Sequence, residues 1–182
     1  MNRKLLKLMA LSIFGMLITT HAAADLFKIH SGKSVMFVEI DVEEDEVEDF
    51  YGLKGSVEYS PTQDKITALN IDIDLTKIQK DNDGGVDLRG PEFFDVANYP
   101  VMHLGVSKLT KNVAQLSVTV KNVTKIISFD LDYGSVVTEE GHQQLGVVLT
   151  GQVDPKAFGL HFPPDSGVNT VQLVLHLVTV QS

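Results

Sequence analysis

Residues 69–75 alternate strictly between aliphatic and polar side chains, and this alternation constrains the fold more than any other feature of the chain. The segment reads Leu-Asn-Ile-Asp-Ile-Asp-Leu. Side chains of a β-strand point alternately to the two faces of a sheet, so this spacing predicts a strand with one buried face and one face in water. Asparagine and aspartate disfavour strands, and their confinement to one face explains how this strand tolerates them.

The same period-two pattern recurs along most of the chain and predicts about eight strands separated by short polar turns. The predicted strands are residues 35–42, 53–59, 69–75, 101–107, 116–121, 129–133, 145–153 and 173–180. Short helical turns are predicted at residues 92–96 and 155–158, each with a proline at its start. No long segment has the 3.6-residue period of a helix. The pattern therefore favours an all-β barrel or sandwich and disfavours an α/β nucleotide-binding fold.

The first 24 residues have the layout of a secretory signal peptide. Three basic residues precede a short apolar stretch at residues 8–18, and three alanines at residues 22–24 offer a cleavage site. The apolar stretch is too short for a comfortable membrane span. We therefore expect residues 25–182 to form one mature domain, periplasmic or secreted, with no stable membrane anchor after cleavage. The alternative is an uncleaved N-terminal anchor.

The mature region is strongly acidic and contains no cysteine. The formal net charge is −9 for the whole chain, and it becomes −12 when the leader, with three basic and no acidic residues, is removed. Such a charge disfavours binding to nucleic acid or to anionic lipid surfaces. Without cysteine the chain can form no disulfide, so its stability must come from the hydrophobic core.

The expected barrel interior is apolar, and it has two possible uses. Closure of eight strands removes exposed sheet edges and leaves an interior that is either filled by side chains or holds one small ligand. Aliphatic and aromatic residues occupy the inward positions, so a cavity there would be dry. Periodicity does not separate a ligand-binding barrel from a solid one.

The loop at residues 88–100 carries two adjacent phenylalanines, Phe93 and Phe94, between Pro91 and Pro100. Loops normally run over the surface, where two large aromatic side chains would be exposed. We therefore expect this loop either to fold back over an apolar interior or to form a partner site.

Four short segments match, in order, the motifs of one protein family. Residues 29–37 (IHSGKSVMF) are similar to its opening strand, and residues 88–100 (LRGPEFFDVANYP) are similar to its Leu-Arg-Ser-Pro-Asp-Phe-Phe-Asp signature. Residues 116–125 (LSVTVKNVTK) and 154–160 (DPKAFGL) are similar to its Thr-Lys turn and its Asp-Arg-x-x-Phe-Gly segment. The chain thus resembles the YceI-like family of periplasmic lipid-binding proteins. The resemblance implies a single lipocalin-like antiparallel β-barrel that holds a polyisoprenoid, isoprenoid quinone or fatty acid and is not an enzyme.

The match to the family is incomplete just upstream of the two phenylalanines. The family's Arg-Asp-x-His-Leu-Arg reads Gly-Gly-Val-Asp-Leu-Arg at residues 84–89, and Pro155 stands where the family has arginine. Charged positions near the expected mouth are therefore missing, which weakens the case for recognition of an anionic head group such as pyrophosphate.

The ligand-binding hypothesis assigns the inward-facing residues to the cavity. The expected apolar lining is Phe37, Ile71, Ile73, Phe93, Phe94, Leu104, Phe129, Leu131, Leu149 and Phe158. Arg89 and Tyr99 are expected at the mouth, near the head group, where Phe93 and Phe94 close or line the opening. The bound lipid would be the only ligand, without any other cofactor, and the protein would be a monomer or homodimer.

The alternative hypothesis is a structural or interaction barrel that binds no ligand and contacts an exported partner through acidic loops, chiefly residues 43–49 (EEDEVED). That run is otherwise expected to be a solvated hairpin or loop. Residues 80–92 place acids at calcium-loop offsets, but Val86 stands where the turn needs glycine, which indicates a flexible turn.

Motifs of catalytic and metal sites are missing from the sequence. It contains no Gly-x-Ser-x-Gly elbow and no glycine-rich phosphate loop. The histidines of the mature region show no spacing typical of metal ligands. We therefore expect no catalytic residue and no metal site.

Overall fold

The computed structural model describes residues 23–40, 46–78, 87–162 and 168–182, and these form an antiparallel β-barrel. Eleven strands and two short 3₁₀ helices are present among them. The strands are β1 (Asp25–Ile29), β2 (Val35–Ile40), β3 (Glu46–Phe50), β4 (Leu53–Ser60), β5 (Lys65–Asp74), β6 (Val101–Leu109), β7 (Val113–Val120), β8 (Val123–Tyr133), β9 (Val137–Glu139), β10 (His142–Val153) and β11 (Val171–Gln181). The 3₁₀ helices are Leu75–Lys77 and Pro155–Phe158.

Strand β11 closes the barrel because it pairs with three other strands. One edge pairs with β10 from Val171↔Val153 to Val180↔Gln144. The other edge pairs first with β2 and then with β1. The circuit β1-β4-β5-β6-β7-β8-β10-β11 is therefore a closed antiparallel barrel of eight strands. This confirms the predicted all-β class and the predicted strand number of the barrel.

Strands β2 and β3 extend one side of the barrel. Strand β2 lies on the same edge of β11 as β1, and β3 pairs with β2 as β4 pairs with β1. Each pair, β1 with β2 and β3 with β4, therefore acts as one interrupted strand. Among the described residues β3 pairs with β2 alone, and no strand pairs with its other edge.

All eight predicted strands are present, with ends that differ by a few residues, whereas β1, β3 and β9 were not predicted. The acidic run was expected to be a solvated hairpin or loop, and its residues 46–49 belong to strand β3, which pairs antiparallel with β2. Backbone pairing thus overrides the poor strand propensity of the acidic residues. The remainder of that run, residues 43–45, lies outside the described residues, as do residues 80–86 of the calcium-like turn and residues 1–22 of the leader.

One of the two predicted helical turns is present. Pro155–Phe158 is a 3₁₀ helix, capped by the Asp154 side chain, which accepts from the Lys156 amide at 2.9 Å. Residues 92–96 are not helical, because their backbone amides donate to carbonyls at different sequence separations instead of the constant separation of a helix. Phe94 N donates to Leu88 O at 3.1 Å, and Phe93 N donates to Gly90 O at 3.1 Å.

The end of the barrel opposite β3 is held by hydrogen bonds to Asp64, in the turn between β4 and β5. The Tyr59 hydroxyl donates to Asp64 Oδ1 at 2.8 Å, and the Tyr133 hydroxyl donates to the Asp64 carbonyl at 2.9 Å. The hydrogen bond from Tyr59, with the nearby Lys111 ammonium, lowers the pKa of the Asp64 carboxyl. The same hydrogen bond raises the pKa of the Tyr59 hydroxyl.

Candidate ligand cavity

An apolar cavity occupies the end of the barrel next to β3. All sixteen side chains that line it are apolar. The space open to a water-sized sphere is about 60 Å³, whereas the total atom-free space of the cavity and its mouth is about 620 Å³. The cavity is therefore narrow and dry in character, since an apolar lining gives water no hydrogen-bond partners.

The walls of the cavity are the ends of strands from around the barrel. The inward side chains at these ends are Met36 and Val38 on β2, Phe50 on β3, Met102 on β6, Val118 and Val120 on β7, Val153 on β10, and Val171 and Leu173 on β11. Antiparallel pairing brings these positions to one level, as in the pair Leu173↔Val38. The period-two pattern thus delivers an apolar ring at this end of the barrel.

Two loops cover the cavity, and two aromatic pairs hold them. In the loop at residues 87–100, the Phe94 ring meets Phe50 of β3 edge-on, with ring centroids 5.8 Å apart. Phe93 meets Phe162 of the second loop, residues 154–162, at 5.2 Å. We call these two loops the lid. The contact between Phe93 and Phe162 joins the lid across the mouth.

Hydrogen bonds fix the first lid loop at both ends. Lys121, in the turn between β7 and β8, donates from Nζ to the Pro91 carbonyl at 3.0 Å. The Leu75 amide donates to the Pro100 carbonyl at 2.9 Å. The loop therefore folds back over the apolar interior, which is one of the two arrangements expected from the sequence.

Of the ten predicted lining residues, the structure places Phe93, Phe94 and Phe158 in the wall of this cavity. Six other predicted lining residues are at most 2% exposed but lie in the packed part of the barrel, away from the cavity. They are Ile71, Ile73, Leu104, Phe129, Leu131 and Leu149. Periodicity identifies the inward face of a strand but not the depth along the barrel, so it cannot separate packed positions from cavity positions.

Phe37 lies on the outer face, which corrects its predicted place in the lining. Its neighbours Met36 and Val38 line the cavity, and successive side chains of a strand point to opposite faces. The Phe37 ring contacts the exposed His176 edge-on, at 5.4 Å between centroids. Residues 35–38 are apolar at every position, so their pattern does not specify which side chains face inward.

The two predicted mouth residues lie in the first lid loop. Arg89 is exposed, and Tyr99 is partly buried. Their backbone groups hold the loop, since Arg89 O accepts from Val96 N at 3.1 Å and Tyr99 N donates to Asp95 O at 2.9 Å. Neither side chain makes a hydrogen bond or ion pair to another described residue.

Thirteen of the sixteen lining residues were not predicted, although some of them carried a usable signal. Met102, Val153 and Leu173, for example, stand on the inward faces of strands that were correctly predicted. Leu160 and Phe162 lie in a loop without periodicity. Their apolar side chains were the only sign in the sequence that they line a cavity.

Within the part of the chain that the structure describes, no three His, Asp or Glu side chains are placed to hold a metal ion. None of the helices described there is long and apolar enough to cross a membrane. The chemistry available at the cavity is the burial of apolar surface, because no charged or polar side chain contributes to its lining.

A closed eight-stranded barrel with an apolar end cavity under a loop lid is typical of proteins that hold one small apolar ligand. Residues 27–180 match the model of the YceI-like domain, and the chain belongs to that family.

Solved structures of similar fold include proteins from Campylobacter jejuni, Burkholderia cenocepacia and Saccharophagus degradans. The Campylobacter jejuni YceI protein is 17% identical, with a TM-score of 0.62 over 73% of this chain and 83% of that one. Burkholderia cenocepacia BcnA is 17% identical, with a TM-score of 0.62 over 82% and 98%. A polyisoprenoid binding domain from Saccharophagus degradans, implicated in plant cell wall breakdown, is 15% identical, with a TM-score of 0.57 over 87% and 99%. At these identities the similarity shows the fold. No curated protein matches the sequence.

Proposed function

We propose that the protein is an exported, periplasmic binding protein that holds one long apolar chain, such as a polyisoprenoid, isoprenoid quinone or fatty acid, in the cavity under the lid. The observation that carries this proposal is a lining of sixteen side chains without one polar member. Membership of the YceI-like family and the similarity to a polyisoprenoid binding domain support it. The function is binding and release rather than catalysis.

The present volume of the cavity requires the lid to move when a long ligand binds. Ligand pockets usually measure about 300–1,000 Å³, whereas the space open to a water-sized sphere here is about 60 Å³. Backbone pairing to β11 holds β2 and β10 in the cavity wall, whereas Phe93 and Phe162 are joined by a contact between their rings. Such a ring pair contributes about 0.5–1.5 kcal/mol beyond its buried area. We infer that the lid loops separate to admit the chain.

The tail of the ligand contributes most of the binding free energy in this proposal. Burial of one CH₂ group contributes about 0.8 kcal/mol, so a five-carbon isoprene unit contributes roughly 3–4 kcal/mol before costs. A few such units offset the cost of association, about 4–15 kcal/mol. An exposed ion pair to a head group adds about 1 kcal/mol at most. Loss of the family's charged residues upstream of Phe93 is therefore compatible with tail binding.

A chain-length series tests this proposal. We expect the affinity for octanol, dodecanol and hexadecanol to rise with length, by up to about fourfold per methylene group. Val153→Phe places a ring in the cavity and should abolish binding while the barrel stays folded. Val148→Phe is the matched control, since Val148 lies on the outward face of the same strand.

Calorimetric titration of the three proteins measures the effect. Affinity that does not depend on chain length, or that Val153→Phe and Val148→Phe change equally, would contradict binding in this cavity.

The alternative of a solid interaction barrel finds less support. A solid barrel has no cavity, whereas this barrel has one at its β3 end. The acidic run on which that alternative depends is largely paired as β3, and residues 43–45 lie outside the described residues.

A further inference from the structure

A second hollow lies at the side of the barrel, near the end opposite the cavity. It measures about 420 Å³ and is lined by residues 65–67 of β5 and residues 106–111 at the end of β6 and beyond. It shares no residue with the apolar cavity and differs from it in chemistry, because three of its lining residues are lysines.

The hollow exists because β5 and β6 separate. They pair from Asp74↔Val101 to Asn70↔Gly105, and no pairing continues past this point among the described residues. Each strand also contains a β-bulge where it pairs with its other neighbour. The extra residue is Thr67 in β5, opposite β4, and Ser107 in β6, opposite β7. Such bulges bend a strand and increase its twist, so the two bulges together account for the separation. We call this opening the β5–β6 fork.

The fork presents two strand edges that face each other. An unpaired edge carries free N–H and C=O groups and is a template for another strand. The open lengths are residues 65–69 on β5 and residues 106–109 on β6, which correspond to a segment of about four or five residues at roughly 3.3 Å each. A short extended peptide between the edges would pair with both.

The charges around the fork select an acidic partner. Lys65, Lys108 and Lys111 are all exposed. Lys111 Nζ lies 3.5 Å from Asp64 Oδ2, and neither Lys65 nor Lys108 has an ion-pair partner among the described residues. This is a local basic site on a chain of net charge −9. A second copy docked by the same edges would bring lysine against lysine, which is unfavourable.

We propose that the β5–β6 fork binds an extended acidic peptide segment by strand addition. Backbone pairing to the two edges provides the affinity, and the lysines select the charge. Alternate side chains of the added strand point outward past the lysines, and the others point toward the half-buried Val106 and Leu109. The preferred segment therefore alternates acidic and β-branched residues.

The test uses a capped five-residue peptide of alternating glutamate and valine, with two control peptides. One control has glutamine for each glutamate, and the other has proline at the centre, which removes a backbone donor. We expect the glutamate peptide at about 1 mM to slow amide exchange in residues 65–69 and 106–109. The glutamine peptide should bind about tenfold more weakly, and the proline peptide should not protect these amides.

Lys65→Glu with Lys108→Glu should weaken binding of the glutamate peptide by about tenfold or more. Lys28→Glu with Lys33→Glu is the control, because both lysines are exposed elsewhere and the net charge changes equally. No protection at this concentration, equal protection by the proline peptide, or equal loss in the control variant would overturn the proposal. If no protection is seen, the lysines would be explained instead as charges that prevent another strand from pairing with these edges.

Discussion

Gly151 of β10 and Phe129 of β8 face each other closely in the packed interior. They are directly paired, and a Cβ atom at residue 151 would lie 2.7 Å from Phe129 Cδ1. The Phe129 ring is fully buried, so it has no room to withdraw. A glycine is therefore required at this inward position by the ring opposite.

We predict that Gly151→Ala destabilises the protein by about 1–3 kcal/mol through overpacking. Gly146→Ala is the matched control on the same strand, because residue 146 is exposed and no heavy atom lies within 4 Å of the added Cβ. Urea unfolding at neutral pH measures both changes. Equal midpoints for the two variants would show that Phe129 moves aside without penalty.

The Asp64 carboxyl should make the stability of the protein depend on pH in the acid range. Its pKa is lowered from 3.8 by the Tyr59 hydrogen bond and by Lys111, so its carboxylate favours the folded state. A depressed pKa contributes stability above the unfolded value, and that contribution is lost as the pH falls through the folded value. Asp64→Asn should therefore be less stable than the wild type at pH 6, and the difference should shrink as the pH falls below 3.8 toward pH 2.

Urea midpoints measured from pH 6 to pH 2 test this response. Asparagine suits the position, since Asp64 has a φ of 46° and asparagine tolerates this left-handed conformation. A difference between the proteins that persists unchanged at pH 2 would assign the effect to lost packing rather than to the charge.

Single residues also show what the sequence can and cannot reveal. Phe93 and Phe94 were recognised because two aromatic residues in a loop need an explanation, and both line the cavity. Phe37 was misplaced because residues 35–38 are apolar on both faces. Ile71 and Leu104 were placed on the correct inward face but belong to the packed core, because depth along a barrel leaves no mark on periodicity.

Among the elements, the first lid loop connects the fold with the proposed function. Phe93 and Phe94 are 6% and 8% exposed and pack on Phe162 and Phe50. We predict that Phe93→Ala with Phe94→Ala leaves the barrel folded and removes binding of a long-chain alcohol, since the changes affect the lid rather than the closed strand circuit.

Circular dichroism and calorimetric titration together test the double variant. Phe37→Ala is its control, because it removes a ring from the outer face and should leave binding intact. Cooperative unfolding of the double variant at 25 °C would instead assign the pair to the core, where each truncation costs about 3–5 kcal/mol.

The strands themselves were predictable wherever one face is wet. Strand β5 alternates clearly and was found at once, whereas β1, β3 and β9 are three to five residues long and carry too few periods to be read. Strand β3 also consists largely of acidic residues. It forms because β2 offers it a paired edge, and such tertiary pairing cannot be read from local composition.

At the scale of the whole molecule, the barrel divides into a packed body and two specialised ends. The closed circuit through β11 carries the stability, the end next to β3 holds the apolar cavity, and the other end holds the Asp64 hydrogen bonds and the β5–β6 fork. This division explains why the sequence left the solid and the ligand-binding barrel open. Most of the interior is solid, and the cavity is confined to one end.

The central claim is that this end takes up one long apolar chain, and native mass spectrometry of the protein purified from cells tests it most directly. We predict a species that carries one non-covalent molecule, lost on denaturation and missing from Val153→Phe. A homogeneous ligand-free mass, unchanged after incubation with an isoprenoid quinone, a polyisoprenol and a fatty acid, would contradict the claim.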